Sequence, residues 1–258
     1  MSVDSVAKHD SSQPRLKLHH GTPETLQSEV HDHLFCLMSR QEVNANQVIF
    51  FEGDPCNSIF EVAKGVVRIY KVLQDGRRQI TGFLTRGDFL GLSLDDHYVY
   101  TAEGVTDVTL CRYPRDRLEK MLEENPRLSK KLFGLMNGEL VSAQFQMLLL
   151  GRKTATEKLA TFFVQLLQRQ EGTEGSEHIL NLPMPRGDIA DYLGVTTETV
   201  SRTIFWMKKV NLIELNKTNQ VSIEDLNGLL MLAGPFCSSR LTGTMLNRED
   251  RKGITVKG

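Results

Sequence analysis

Between Asn44 and Pro114 the chain alternates short apolar runs with breaks that contain Gly and Asp. Val48-Ile-Phe-Phe51 gives way to Gly53-Asp54; Ile59, Phe60 and Val62 stop at Gly65; Val66, Val67, Ile69, Tyr70 and Val72 stop at Asp75-Gly76. Ile80-Thr-Gly-Phe83 ends at Gly87-Asp88, and a last run covers Val105 to Tyr113. Such runs at intervals of about eight to twelve residues, joined by Asp-Gly turns, predict a small antiparallel barrel or roll. The period changes at Arg115. A short helix is expected over Arg117–Glu124, and Pro126, a good first helical residue, opens a longer one reaching about Leu150. Along it Leu132, Met136, Leu140, Ala143, Met147 and Leu150 follow one another at spacings of 4, 4, 3, 4 and 3. That is a coiled-coil type of stripe. It needs a partner, either its own β-domain or a second copy of the chain, and the spacing near 3.5 along its whole length favours the second copy.

A third region begins where Thr154 and Glu157 fit the S/T-x-x-E capping box, ahead of Leu159, Phe162, Phe163, Leu166 and Leu167 on one helical face. After a polar loop at 170–177 and a Pro-Met-Pro corner, the chain reads Arg186-Gly-Asp-Ile-Ala-Asp-Tyr-Leu-Gly-Val-Thr-Thr-Glu-Thr-Val-Ser-Arg202. Ile189, Ala190 and Leu193 mark the inner face of a short helix that stops at Gly194, the residue best suited to a left-handed helix end. Val195 is placed in a buried turn, and Thr196 can cap a second helix. That helix turns Val200, Ile204 and Met207 inward and carries Thr197, Glu198, Ser201 and Arg202 outward within its first two turns. Two helices joined by a short Gly turn, with polar reach at the start of the second, predict a helix-turn-helix. Leu212 to Ile223, turning at 216–220, reads as its wing. Arg202 can donate two hydrogen bonds to guanine, Glu198 can accept from a cytosine or adenine amino group, and Ser201 and Thr197 can meet thymine. At i, i+4 Glu198 and Arg202 can also orient one another. The bland alternative is a solvated surface ion pair of little consequence. The coincidence of cap, turn and reading face argues against it.

The expected organisation is α+β: a flexible polar arm over 1–26, an antiparallel β-roll over 27–125, a dimerisation helix over 126–151, a winged helix-turn-helix over 152–233 and a tail over 234–258. Charge narrows what such a protein can do. With 31 Lys and Arg against 32 Asp and Glu the net charge is −1, and residues 152–233 alone hold nine basic against ten acidic residues. Coating nucleic acid by bulk positive charge is excluded, so DNA contact must be local. The four cysteines, Cys36, Cys56, Cys111 and Cys237, form no C-x-x-C, which leaves zinc ribbons and thioredoxin-type pairs without support. No apolar run is long enough to cross a bilayer. A reducing cytoplasm without membrane contact is expected.

Taken together, these residues resemble the CRP/FNR family of transcription regulators, from about residue 44 to 233, and its FNR and FixK branch more closely than the cyclic-AMP receptor. Gln79-Ile-Thr-Gly-Phe83 before Gly87-Asp88, Met136-Asn-Gly-Glu-Leu140 with Met147-Leu-Leu-Leu150, and Arg186-Gly-Asp-Ile with Glu198-Thr-Val-Ser-Arg202 carry the resemblance. The resemblance implies a homodimer that reads a TTGA-type inverted repeat in double-stranded DNA and contacts RNA polymerase to activate transcription. It also implies that Arg77 and Arg78, in the hairpin turn after Gln74, belong to a polymerase-facing loop, unless they are ordinary solvated turn residues.

Departures from the family bear on the signal. Leu92 stands about where a nucleotide-binding member places its ribose-binding Glu, and Val99-Tyr100-Thr101 where the phosphate-binding Arg-Ser belongs. A phosphate pocket without its arginine lacks its main counter-charge, and Asp95 and Asp96 would add repulsion. Cyclic AMP is therefore not expected. Cys111 matches the fourth ligand of the cluster-binding members, but residues 1–35 contain no cysteine, so no iron–sulfur cofactor is expected either. Ala143 lies on the stripe where the cluster-regulated relatives carry an aspartate, whose self-repulsion in a paired seam would oppose dimerisation. This points to a FixK-like protein controlled mainly by its abundance. A regulator gated by haem, nitric oxide or another small molecule stays open as an alternative. His31, His33 and Cys36, with His19 and His20 upstream, have a spacing compatible with metal, but a polar helix with incidental imidazoles explains them as well; no metal ligand set is assigned. An enzyme is not expected: a cupin-type site needs several inward His and carboxylates, and His97 is the one histidine in the strand-bearing stretch from Asn44 to Pro114. The tail, with Cys237, shows no strong period; an exposed Cys237 could be redox-sensitive.

Overall fold

The computed structural model describes residues 38–93, 95–170, 178–217 and 219–234. The predicted arm, the His19, His20, His31, His33 and Cys36 group, the loop at 171–177 and the tail with Cys237 lie outside them. Eight strands form the N-terminal roll. β1 (Ser39–Val43), β8 (Val108–Pro114), β3 (Ser58–Lys64) and β6 (Phe89–Leu90) make one antiparallel sheet in that order. β2 (Val48–Phe50), β7 (Thr101–Gly104), β4 (Val67–Val72) and β5 (Arg78–Leu84) make the second. Val43, Phe60, Val62, Val67, Leu84, Ala102 and Leu110, drawn from both sheets, share one apolar cluster. The expected Asp75-Gly76 turn is present, with Gly76 at φ +81° and its N–H donating to the Leu73 carbonyl at 2.9 Å.

Two strands carry no apolar pattern and escaped the sequence reading. β1 reads Ser-Arg-Gln-Glu-Val and is mostly exposed. β7 reads Thr-Ala-Glu-Gly and is buried throughout; its Glu103 is tolerated inside because Arg68 pairs with it at 2.5 Å. The run read from Val105 to Tyr113 becomes strand only at Val108, because the chain bends at 105–107 between β7 and β8.

Helix α1 (Arg115–Glu124) leads into α2 (Pro126–Arg152), which has Asn125 as its cap, accepting from the Leu128 N–H at 3.2 Å. Its 27 residues make a rod of about 40 Å. Helix α3 (Ala155–Gln170) begins at the predicted capping box: the Thr154 N–H donates to Glu157 at 2.7 Å, and the Glu157 N–H to the Thr154 hydroxyl at 3.4 Å. The Thr154 N–H and its hydroxyl, which donates to the same carboxylate at 2.8 Å, hold the Glu157 carboxyl below its usual range. The face of α3 that was read as apolar is entirely buried. It packs on α4 (Arg186–Leu193), α5 (Thr197–Lys209) and α6 (Leu226–Ala233), beside a small sheet ordered β10 (Ile213–Lys217), β11 (Gln220–Ile223), β9 (Ile179–Asn181). This core continues into the roll through Ile80 and Phe83; Phe83 lies 6.1 Å from Phe162 and 5.5 Å from Tyr192 between ring centroids. The fold is thus α+β, a cyclic-nucleotide-binding type of β-roll followed by a long helix and a winged helix-turn-helix.

Candidate nucleic-acid interface

The second helix of the helix-turn-helix starts where the sequence placed it. Gly194 sits at φ +61°, a conformation that costs a side chain with a Cβ. The Val195 N–H returns to the Ala190 carbonyl at 3.1 Å. Thr196 caps α5, its hydroxyl accepting from the Thr199 N–H at 3.2 Å. Val200, Ile204 and Met207 are buried as read, with Thr203 beside them; Val195 is half-buried. Thr197, Glu198 and Arg202 are exposed and Ser201 is half-buried, together forming one outward strip. Glu198 is held below the usual carboxylate range by its own backbone N–H, by the Thr196 hydroxyl and, to a lesser degree, by the Arg202 guanidinium. It therefore stays an acceptor at neutral pH. Arg186, at the start of α4, donates to the Ser201 hydroxyl at 3.3 Å, which adds a cation to the strip that the sequence reading did not assign.

The first helix is held very differently. Asp188 is 3% exposed and accepts from two arginines of the roll, Arg68 at 2.8 Å and Arg78 at 2.5 Å. Arg78 also reaches Asp191 at 2.9 Å. Arg68 completes its own set with Glu103 and with Asn46 at 3.2 Å. The last carbonyls of α4 have no partner within the helix, and its last turn carries no basic residue. Three different elements supply donors instead: Gln79 to the Asp191 carbonyl at 2.7 Å, Gln146 to that of Tyr192 at 2.9 Å and Lys158 to that of Leu193 at 3.1 Å. The roll, the long helix and α3 thus converge on the end of one eight-residue helix.

This geometry corrects one expectation. Arg78 is not a free turn residue; its side chain is directed at α4. Arg77 remains outward, 77% exposed and paired only locally with Asp75 at 2.7 Å. The sequence had no means of pairing Arg68 or Arg78 with Asp188, because 110 or more positions separate them.

On α2, Met136, Leu140, Ala143 and Met147 are exposed, whereas Leu132 and Leu150 are half-buried at the margin. Phe133, which the reading passed over, is 72% exposed. The exposed row is therefore 133, 136, 140, 143 and 147, with spacings of 3, 4, 3 and 4, a stricter heptad than the one read.

Inside the roll, Phe50 stacks on Tyr98 with centroids 3.7 Å apart, and the Tyr98 hydroxyl donates to the Ser58 carbonyl at 2.7 Å. Burial pushes that phenol up to about 12. Tyr100 accepts from the Gly91 N–H at 2.9 Å. Aromatic side chains thus occupy the interior of the roll beside Ser58 and Gly91. Cys56 and Cys111 are buried free thiols, both pushed up by burial. Among the described residues no group of three or more His, Cys, Asp or Glu is placed to hold a metal ion, and no helix is long and apolar enough to cross a membrane.

Comparison with known proteins agrees with this architecture. The profile of the cyclic nucleotide-binding domain matches residues 40–125, and that of the Crp-like helix-turn-helix domain matches residues 157–232. The chain is 42% identical to the nitrogen fixation regulation protein FixK of Bradyrhizobium diazoefficiens, over 64% of this chain and 69% of that one. It is 38% identical to the transcriptional activatory protein AadR of Rhodopseudomonas palustris, over 71% of this chain and 77% of that one. Among solved structures, FixK2 from Bradyrhizobium japonicum superposes with a TM-score of 0.72 at 34% identity, covering 77% of this chain and 98% of that one.

Proposed function

The chain belongs to the CRP/FNR family of DNA-binding transcription regulators, and from that premise we propose that it acts as a homodimeric activator of FixK type. Each protomer reads one TTGA-like half-site of an inverted repeat. The observation that carries the reading is the capped, outward strip Thr197, Glu198, Ser201 and Arg202 on a helix whose other face is buried. With α5 in the major groove, Arg202 donates to guanine O6 and N7, Glu198 accepts a base amino group, and the two small hydroxyl residues meet thymine. Arg186 is placed to reach a flanking phosphate, which answers the need for local rather than bulk charge.

The exposed heptad row of α2 supports the dimer. A contiguous apolar row of this kind on a polar chain is covered in the working protein, and a second copy supplies the matching row. Ala143 adds no charge to that seam. The filled interior of the roll supports control by abundance rather than by a nucleotide. The names of the relatives, nitrogen fixation regulation protein and, for the one from Haemophilus influenzae, anaerobic regulatory protein, support target genes of low-oxygen metabolism. Arg77 is the cation left to face RNA polymerase, in the cytoplasm where that enzyme works.

A gel shift on a TTGA palindrome tests the core of this reading. Wild type binds without added ligand, and Arg202→Ala weakens binding by about 1–3 kcal/mol per half-site, chiefly at the guanine. Equal binding by the two proteins removes Arg202 from its role. A ligand-free protein that stays monomeric refutes control by abundance.

A further inference from the structure

Glu198, Ser201 and Arg202 do not complete the outward strip of α5. At roughly 100° per residue, Phe205 lies about 20° from Glu198 around the helix, between Ser201 and Arg202, and about 4.5 Å further along the axis than Arg202. Its side chain is 70% exposed. The inner face of the helix is already filled by Val200, Thr203, Ile204 and Met207, and Lys208 beyond it is engaged with Glu214 at 2.7 Å. Phe205 is thus a large apolar ring with no apolar neighbour on the strip, framed by groups suited to base edges.

The major groove offers one apolar group, the 5-methyl of thymine, and a phenyl ring is among the side chains that pack on it. We propose that Phe205 is a further specificity-determining residue, its ring packing on a thymine methyl within two base pairs of the guanine contacted by Arg202. A TTGA half-site presents thymines on both sides of that guanine, counting the complementary strand. The inference rests on the DNA reading above, and it adds a contact that discriminates by a methyl group rather than by hydrogen bonds.

Deoxyuridine isolates that methyl, because it pairs as thymine does and lacks only the 5-methyl. Each thymine of the half-site is replaced in turn, symmetrically in both halves, and affinity is measured for wild type, Phe205→Ala and Phe205→Leu. For wild type, one position weakens by about fourfold per half-site, hence about fifteenfold across the palindrome, the change that corresponds to one methyl-sized group. Phe205→Ala binds thymine DNA more weakly and loses sensitivity at that position, while Phe205→Leu keeps part of it. All three proteins should give nearly the same thermal melt, since the side chain is mostly exposed in the free protein. The proposal is overturned if Phe205→Ala binds thymine DNA as tightly as wild type, or if deoxyuridine affects both proteins alike at every position. Failure of wild type to bind the palindrome at all overturns the DNA reading, and this inference with it; specific binding without methyl sensitivity overturns this inference alone.

Discussion

Helices α4 and α5 belong to one motif and are separated by three residues, yet they use charge in opposite ways. In α4 the charged group is buried: Asp188 lies between Arg68 and Arg78 of the other domain, and the helix end is capped from three sides. In α5 Glu198 and Arg202 stand in water, Glu198 stabilised by the Thr196 hydroxyl and the Arg202 charge, and among the described residues neither has an ion pair to the roll. A buried charge is costly to leave unpaired, whereas an exposed one can be removed with little effect on folding. The motif therefore has a face that positions it and a face left in water, to which the proposed function assigns the reading of DNA. Positioning and reading should be separable by mutation.

The largest expected effect is at the docked face. Asp188→Ala leaves Arg68 and Arg78 facing an empty site and should destabilise the protein by about 3–5 kcal/mol, towards the lower end because Glu103 still holds Arg68. Chemical denaturation measures it; a loss below about 0.5 kcal/mol would erase the contrast with α5. Next comes the long helix, an outward face that should become inward on pairing. Leu140→Glu places like charges in the seam twice and should raise the dimer dissociation constant roughly a hundredfold, read by sedimentation. An unchanged monomer–dimer equilibrium would mean that the row serves something else.

Arg202→Ala sharpens the comparison from the other side. It should reduce DNA affinity as stated above and leave the free energy of unfolding unchanged within about 0.5 kcal/mol. The smallest effect belongs to an exposed contact that is structural rather than functional. Thr154→Ala should cost about 1 kcal/mol through the α3 cap. The Glu157 carboxyl is depressed in the folded state, so its share of the cap is present above the ordinary glutamate range. That share is lost as pH falls through the folded value. The difference between wild type and Thr154→Ala should therefore shrink on acidification, and a difference independent of pH would place the cap elsewhere.

These regions also differ in how far they could be read from residues alone. The capping box at Thr154 and Glu157, the Gly194 stop, the Thr196 cap and the inner faces of α3 and α5 were all legible, because each is a local pattern whose period the helix geometry sets. Strand β7 was not, since Thr-Ala-Glu-Gly has no alternation and is buried only because Arg68 neutralises Glu103. The apolar row of α2 could be read only in part: Leu132 and Phe133 are both apolar, and only the packing of α2 against its neighbours leaves Phe133 exposed and Leu132 half-buried.

What the sequence by itself determined is therefore the order of parts and the outward polar strip of α5, which follow from short-range spacing, together with a resemblance to the family that short motifs carry. Only the tertiary structure decided that Arg78 holds the helix-turn-helix rather than facing outward, that Asp188 is the centre of a buried ion cluster, and that Phe205 stands 70% exposed on the outward face of α5. The reason is physical. A helix or a turn is specified by groups a few residues apart along the backbone, whereas a pairing across more than a hundred residues leaves no spacing to read and exists only once two domains pack together.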